Sequence, residues 1–281
     1  MSFLDRLETC RIKDMSAYRP FVVAGASLGW IKNDFAAALR DFPDVFSVTD
    51  SAVSLHDRLQ EFKARTAAVD GVVRRLREQG IVRLWFEEKF PVKTAHAAEP
   101  LFDMERGAIS LFGLPAFGVH LNGYVGRGAA MKMWVAERSH QKPVEPGKYD
   151  QIVAGGQPAD LTVLENLIKE CGEEASIDPA LASQAVPVGA ITYTMELPEG
   201  LRRDVLYNFD LELDPDFNPV NTDGEVHAFH LWPLDQVAAI VRDTSDFKFN
   251  CSLVVIDFLV RHGMITPEHP EYIECVKGLR T

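Results

Sequence analysis

The sequence predicts an α+β protein built in two parts, and three observations carry that prediction. Its 281 residues are enough for one large or two modest domains, each with its own core. Strand-like apolar runs bounded by Gly-rich turns alternate with segments of helical period rather than forming all-α or all-β blocks. Residues 155–174, GGQPADLTVLENLIKECGEE, join a paired glycine, a short loop and a helix that ends in three glutamates.

Residues 1–105 are expected to form a smaller α+β domain. Phe21 to Lys32 reads as a hairpin, Asp34 to Arg40 as a short helix, Ser54 to Gln79 as a longer helix, and Ile81 to Phe90 as a strand. Thr94 to Pro100 is a polar, Ala-rich connection. Residues 106–281 form the second part. Gly118 to Tyr124 and Met131 to Arg138 read as strands around a Gly-rich turn, and Ile152 to Ala154 lead into the paired glycine. After the glutamate helix, Ala190 to Met195 and Val205 to Leu213 are strands, with Leu206, Asn208, Asp210 and Glu212 on one side of the second. Glu225 to Leu234 is a last strand, and a helix starts at Asp235.

Glu170, Glu173 and Glu174 lie three and four residues apart, so helical spacing puts them on one face. Leu164, Leu167, Ile168 and Cys171 form an apolar stripe about 120° away. Like charges at these spacings repel by ~0.2–0.5 kcal/mol per pair. Glutamates in a last turn also oppose the helix dipole, by ~0.3–1 kcal/mol each. A glutamate-rich face is most often just solvated. Here a divalent ion would turn the local cost into a binding site, and all-oxygen ligation favours Mg²⁺ or Mn²⁺ over zinc.

At these residues the chain resembles the Nudix hydrolase signature: Gly, five residues, Glu, seven residues, then Arg-Glu-apolar-x-Glu-Glu-x-Gly-apolar. Lys169-Glu170-Cys171-Gly172-Glu173-Glu174-Ala175-Ser176-Ile177 occupies the second half, with Lys for Arg and Ser for Gly. Gly155-Gly156 matches upstream, but the loop is one residue short and Leu161 stands where the first Glu is expected. PGKYDQIVAGG and DGEVHAFHLWPLDQV further resemble the Nudix branch related to the domain fused to some eukaryotic thiamin pyrophosphokinases. The segment holding FVVAGASLGWIK and FPDVF resembles the domain that precedes it there.

The resemblance implies an α/β/α sandwich with a mixed sheet, preceded by the smaller α+β domain, which is given a substrate-specificity or oligomerisation role. It implies a Mg²⁺ (or Mn²⁺) site made by Glu170, Glu173, Glu174 and the main-chain carbonyl of Gly155, with Lys169 orienting the glutamates. The activity implied is hydrolysis of a diphosphate linkage in a small nucleoside or vitamin diphosphate, thiamin diphosphate or an altered form of it among them. Family members take the general base from the box or from a later loop, so Glu173 and Glu225 are both candidates. Arg138, Lys148, Arg202 and Arg203 are candidate phosphate contacts. Tyr149, Phe209 and Trp232 are candidate stacking rings, each better explained by core packing. His227 and His230 read as surface or packed histidines. The alternative is a Nudix-fold binding or regulatory protein, weakened by Leu161.

Composition narrows the partners. Acidic residues outnumber basic ones by 41 to 29, so long nucleic acid would be repelled on average. No apolar run approaches the ~20 residues that span a bilayer, and MSFLDRLETCRIKDM lacks a signal-peptide core. A cytoplasmic location, a small diphosphate-containing substrate and no membrane are the expectations, with a homodimer left open. Cys10, Cys171, Cys251 and Cys275 form no CxxC pair, which argues against zinc or disulfide frameworks.

Overall fold

In the computed structural model, which describes residues 2–198 and 200–280, a helix α1 (Phe3–Thr9) starts at a capping box between Ser2 and Asp5. The expected hairpin follows as β1 (Tyr18–Val23) and β2 (Ala26–Lys32), turned at Ala24 and Gly25, both with positive φ. Then come α2 (Asn33–Leu39), β3 (Phe46–Val48), β4 (Val53–Leu55) and α3 (Phe62–Glu78). β4 runs parallel to β1, giving a four-stranded sheet in the order β2-β1-β4-β3. α3 buries Val69, Val72, Val73 and Leu76, the spacing of one helical face. A two-stranded ribbon, β5 (Lys89–Val92) and β6 (Phe102–Glu105), completes this part.

Two expectations fail here. The long helix starts at Phe62 and not at Ser54, because Val53–Leu55 is claimed by pairing with β3, a long-range choice that local periodicity cannot show. The strand expected over Ile81 to Phe90 exists only from Lys89 on. Before it, the chain presses so closely on Gly107 that a Cβ there would lie 2.0 Å from the Leu84 carbonyl oxygen.

The second part is organised by β7 (Pro115–Val125), β8 (Lys132–Arg138), β9 (Tyr149–Gln151), β10 (Val153–Gly156), α4 (Val163–Ala175), α5 (Pro179–Ala182), β11 (Val186–Leu197), β12 (Gly200–Glu212), β13 (Val226–Pro233), α6 (Leu234–Asp243), α7 (Phe249–Arg261) and α8 (Tyr272–Gly278). The seven strands form one mixed sheet, β11-β12-β7-β8-β13, with β10 paired to β7 and β9 to β8. β12 and β7 are parallel over ten residue pairs, and the other pairings are antiparallel.

Alternation along the strands sends residues to two separate cores. Val119, Leu121, Phe209 and Leu211 meet Leu167, Cys171 and Ala175 of α4 on one face. Met133, Val135, Ile191 and Leu206 meet α6, α7 and α8 on the other, joined by Phe3, Leu7 and Cys10 from the N-terminus. The result is the α/β/α sandwich that the resemblance implies. A third core, from Phe21 to Leu114, belongs to the N-terminal sheet and α3. All four cysteines are free and buried.

Candidate active site

The glutamate helix is fixed at both ends by the chain around it. At its start, Thr162 Oγ1 accepts from Glu165 N at 3.3 Å while the Glu165 carboxylate accepts from Thr162 N at 2.9 Å, a capping box. Asn166 Nδ2 donates to the Gly156 carbonyl at 2.9 Å, and Gln157 Nε2 donates to the Leu161 carbonyl at 2.6 Å. The loop-to-helix tie expected from a first Glu is thus made by two amide side chains instead.

At its end, Ser176 adopts φ 52°, the left-handed conformation for which glycine is the unstrained residue. The last carbonyls do not face empty space. Val220 N donates to Ala175 O at 3.2 Å, Thr222 N and Oγ1 donate to Glu173 O at 3.0 and 2.8 Å, and Asn221 Nδ2 donates to Glu174 O at 3.3 Å. The 220–222 loop therefore supplies the positive groups that the sequence after the glutamates lacks.

The three glutamates are buried to different depths. Glu174 is on the buried face with Leu167 and Cys171, only 6% exposed, and its carboxylate accepts from Ala154 N at 2.7 Å. The apolar stripe needs the same correction: Leu164 is 46% exposed, because the sheet lies against the Leu167–Cys171–Glu174 line and Leu164 falls off that line. Glu170 lies across Gly155, where a Cβ would be 2.3 Å from its Cδ and 2.6 Å from its Oε1. Glu173 points outward, half-exposed, and pairs with Lys169 at 2.6 Å. Lys169 also reaches Glu170 at 3.3 Å, so it touches both glutamates it was expected to orient.

Electrostatics separate these groups. Burial, then the neighbouring charges of Glu170, Asp150 and Glu225, push the Glu174 carboxyl well above the glutamate range, against the pull of the Ala154 N–H. Burial also raises Glu170, and Lys169 only partly offsets it. Two inward-facing carboxyls that resist ionisation beside each other are what a divalent cation would relieve, and the donors are all oxygen. The residues fit a Mg²⁺ or Mn²⁺ ion. Glu225 is delivered by the same loop that caps α4, and its charge is felt by both Glu170 and Glu174. It is paired with Lys142.

The paired glycine has two different duties. Gly155 makes room for Glu170. Gly156 makes room for the N-terminal part, since a Cβ there would be 2.6 Å from Phe90 Cζ and 3.3 Å from Arg106 Cζ. Arg106 packs over Phe86 and Phe90 and pairs with Glu88 at 2.7 Å. It was missed in the sequence because the contact joins residues 50 positions apart with no local pattern.

The four candidate phosphate cations are scattered. Arg138 is buried, donating to Asp150 Oδ2 at 2.8 Å and to the Val144 and Glu145 carbonyls at 2.9 and 3.1 Å. Lys148 donates to Ser245 O at 2.6 Å, and Arg202 Nε to Asp204 Oδ2 at 2.8 Å. Arg203 holds the Leu28 and Gly113 carbonyls of the N-terminal part at 2.9 and 3.1 Å. Among the aromatics, Phe209 is buried, and Tyr149 packs edge-on against Trp232 with ring centroids 5.0 Å apart. His227 is exposed and His230 half-buried.

With this geometry in place, comparison with known proteins decides the family. Nudix hydrolase 24, chloroplastic, of Arabidopsis thaliana is 43% identical over 282 residues, covering 99% of this chain and 77% of that protein. The chain belongs to the Nudix hydrolase family. Nudix hydrolase 20, chloroplastic, of the same plant is 40% identical over 289 residues, covering 99% of this chain and 77% of its own length. Residues 2–116 match a domain of unknown function, DUF4743. Among solved structures, the MutT protein of Methanosarcina mazei covers 55% of this chain and 96% of its own, at 17% identity and TM-score 0.39. This Nudix chain is thus a hydrolase, and hydrolases of its family use divalent cations. Among the described residues, no helix is long and apolar enough to cross a membrane.

Proposed function

We propose that this Nudix hydrolase cleaves the diphosphate linkage of a small vitamin or nucleoside diphosphate, with thiamin diphosphate or an altered form of it first among substrates. The observation that carries the reading is the pair of inward-facing carboxyls, Glu170 against Gly155 and Glu174 against Ala154, both raised above the glutamate range. The choice of substrate rests on the resemblance of PGKYDQIVAGG and DGEVHAFHLWPLDQV to the thiamin pyrophosphokinase-linked branch.

In this reading Glu170, Glu174, Glu173 and the Gly155 carbonyl hold Mg²⁺ or Mn²⁺, which when bound neutralises diphosphate oxygens and acidifies a water. Lys169 keeps Glu170 and Glu173 in place. Glu225 takes the proton from the attacking water, supported by its position on the loop that caps α4, and Glu173 is the other candidate base. Arg106, lying against Gly156, meets a substrate phosphate. Arg138, anchored on Asp150, acts from behind by shaping the 144–145 turn. Residues 1–105 act as a specificity element, because Phe90 reaches the paired glycine from that side, next to Arg106 at the start of the second part. A cytoplasmic location and a homodimer belong to the same reading, checked by fractionation and by light scattering.

The deciding experiment incubates the full chain with Mg²⁺ or Mn²⁺ and a panel of thiamin diphosphate, its oxidised analogues, ADP-ribose and nucleoside triphosphates. Metal-dependent release of a monophosphate that is lost in Glu174→Gln supports the reading. Tight binding of one member with no turnover of any would favour the regulatory alternative, in which Leu161 leaves the site too weak for catalysis.

A further inference from the structure

We propose that Glu137, His140 and His227 form a second cation site, selective for a late first-row divalent metal of the zinc class and separate from the box. The three side chains come from the end of β8, the turn after it and the start of β13. Each offers one ligand atom, and these atoms all lie within 4.8 Å of one another. Glu137 Oε1 is 3.7 Å from His140 Nε2, and the rings of His140 and His227 are 5.1 Å apart. Donors around a tetrahedral zinc ion with bonds of about 2.0–2.2 Å sit about 3.4 Å apart. The shortest pair is already near that spacing. The remaining closure falls mainly to His227, which is exposed and can change rotamer.

The surroundings orient the ligand atoms. Gly147, at φ +69°, brings its backbone against the His140 ring, where a Cβ would be 2.8 Å from Nδ1 and Cε1. That contact leaves Nε2 facing Glu137. The other Glu137 oxygen, Oε2, lies 3.4 Å from His230 Nε2, and the His230 ring is stacked on Trp232 at 4.7 Å and 12°. His230 thus holds the carboxylate from behind, the arrangement by which an outer partner fixes a ligand. The cations close by in sequence are engaged elsewhere, Arg138 with Asp150 and Lys142 with Glu225. Two imidazoles and one carboxylate suit zinc, nickel or copper, whereas the all-oxygen box suits magnesium or manganese, so the two sites sort metals by ligand chemistry.

The test uses the full chain stripped of metal, with excess Mg²⁺ present to fill the box. Cobalt(II) is titrated while visible absorption is followed, and Zn²⁺ is then added as competitor, with calorimetry for stoichiometry. One equivalent of tetrahedral-type cobalt signal displaced by Zn²⁺ is expected. His140→Ala and His227→Ala should each weaken it by at least ~10-fold, and the double variant should abolish it. Glu170→Gln and Glu174→Gln should leave it unchanged, with melting curves showing that every variant is folded. No saturable signal up to about 1 mM cobalt, the millimolar range of weak binding, would overturn the proposal. So would a signal that survives the double histidine variant, or one that vanishes only in the box variants.

Discussion

Replacing Gly155 with alanine isolates the geometry on which the box depends. The new methyl would lie 2.3, 2.5 and 2.6 Å from Cδ, Cγ and Oε1 of Glu170, against ordinary contacts of 3.4 Å or more, so the carboxyl must retreat by about 1 Å. Glu170 is on the half-buried side of a helix, where it can turn away, so the folding cost should stay near the ~1–3 kcal/mol of a modest overpacking. A displacement of that size at a reacting centre costs about 100-fold. Metal-dependent kcat/KM should therefore fall by about two orders of magnitude, roughly 2.7 kcal/mol of lost transition-state stabilisation, while the protein remains folded. Gly172→Ala is the matched control: nothing lies within 4 Å of its added methyl. Lying inside α4, it should stabilise by ~0.5–1 kcal/mol and leave turnover alone. Steady-state kinetics, Mn²⁺ titration and urea unfolding on both variants make the comparison. Wild-type turnover and Mn²⁺ affinity in Gly155→Ala would refute the placement of Glu170 as a ligand.

Three further outcomes are expected. Glu170 and Glu174 have raised folded pKa values, so in metal-free protein their stabilising effect is complete below the ordinary glutamate range and is lost as pH rises through their folded values. Melting temperature without metal should fall over that rise, and Glu174→Gln should flatten the slope while removing the stabilisation given by Mn²⁺; an unchanged slope would count against the buried charge. Asp150 is held down to about 2 by Lys248, Arg138 and His120 despite its burial, so its contribution is present above the ordinary aspartate range and is lost as pH falls toward 2. Asp150→Asn leaves Arg138 and Lys248 without their counter-charge, and urea unfolding should show a loss of ~3–5 kcal/mol. Burial pushes the Cys10 and Cys171 thiols up to about 12 and raises Cys251 and Cys275 as well, so a thiol reagent should find no fast-reacting cysteine until urea is added.

The parts of this molecule that were readable from sequence are those whose cause is local. The strands of the second part are apolar runs bounded by turn residues, and α4 announces itself with the paired glycine ahead of it and glutamates at its end. What was not readable depends on distant partners. β4 takes its conformation from β3 and β1, and α3 starts only after that pairing and the turn that follows it. α7, whose residues from Asn250 to Leu259 are all buried, has no polar face to reveal its period. The same division runs through the site. Helical spacing put three glutamates together, but only the packing of the sheet decided that Glu174 faces inward and Glu173 outward. Charge alone nominated Arg138 and Arg203, and nothing local in the sequence shows that they donate to carbonyls of neighbouring segments.

The loop over residues 220–222 runs directly toward Glu225 and donates to the carbonyls of Glu173, Glu174 and Ala175, so it ties the proposed base to the turn that carries two of the proposed ligands. Because its donors end the very turn that carries Glu173 and Glu174, fraying of that turn would also release the segment that leads to Glu225. Amide exchange at Val220 and Thr222 should then share the protection of the final turn of the helix.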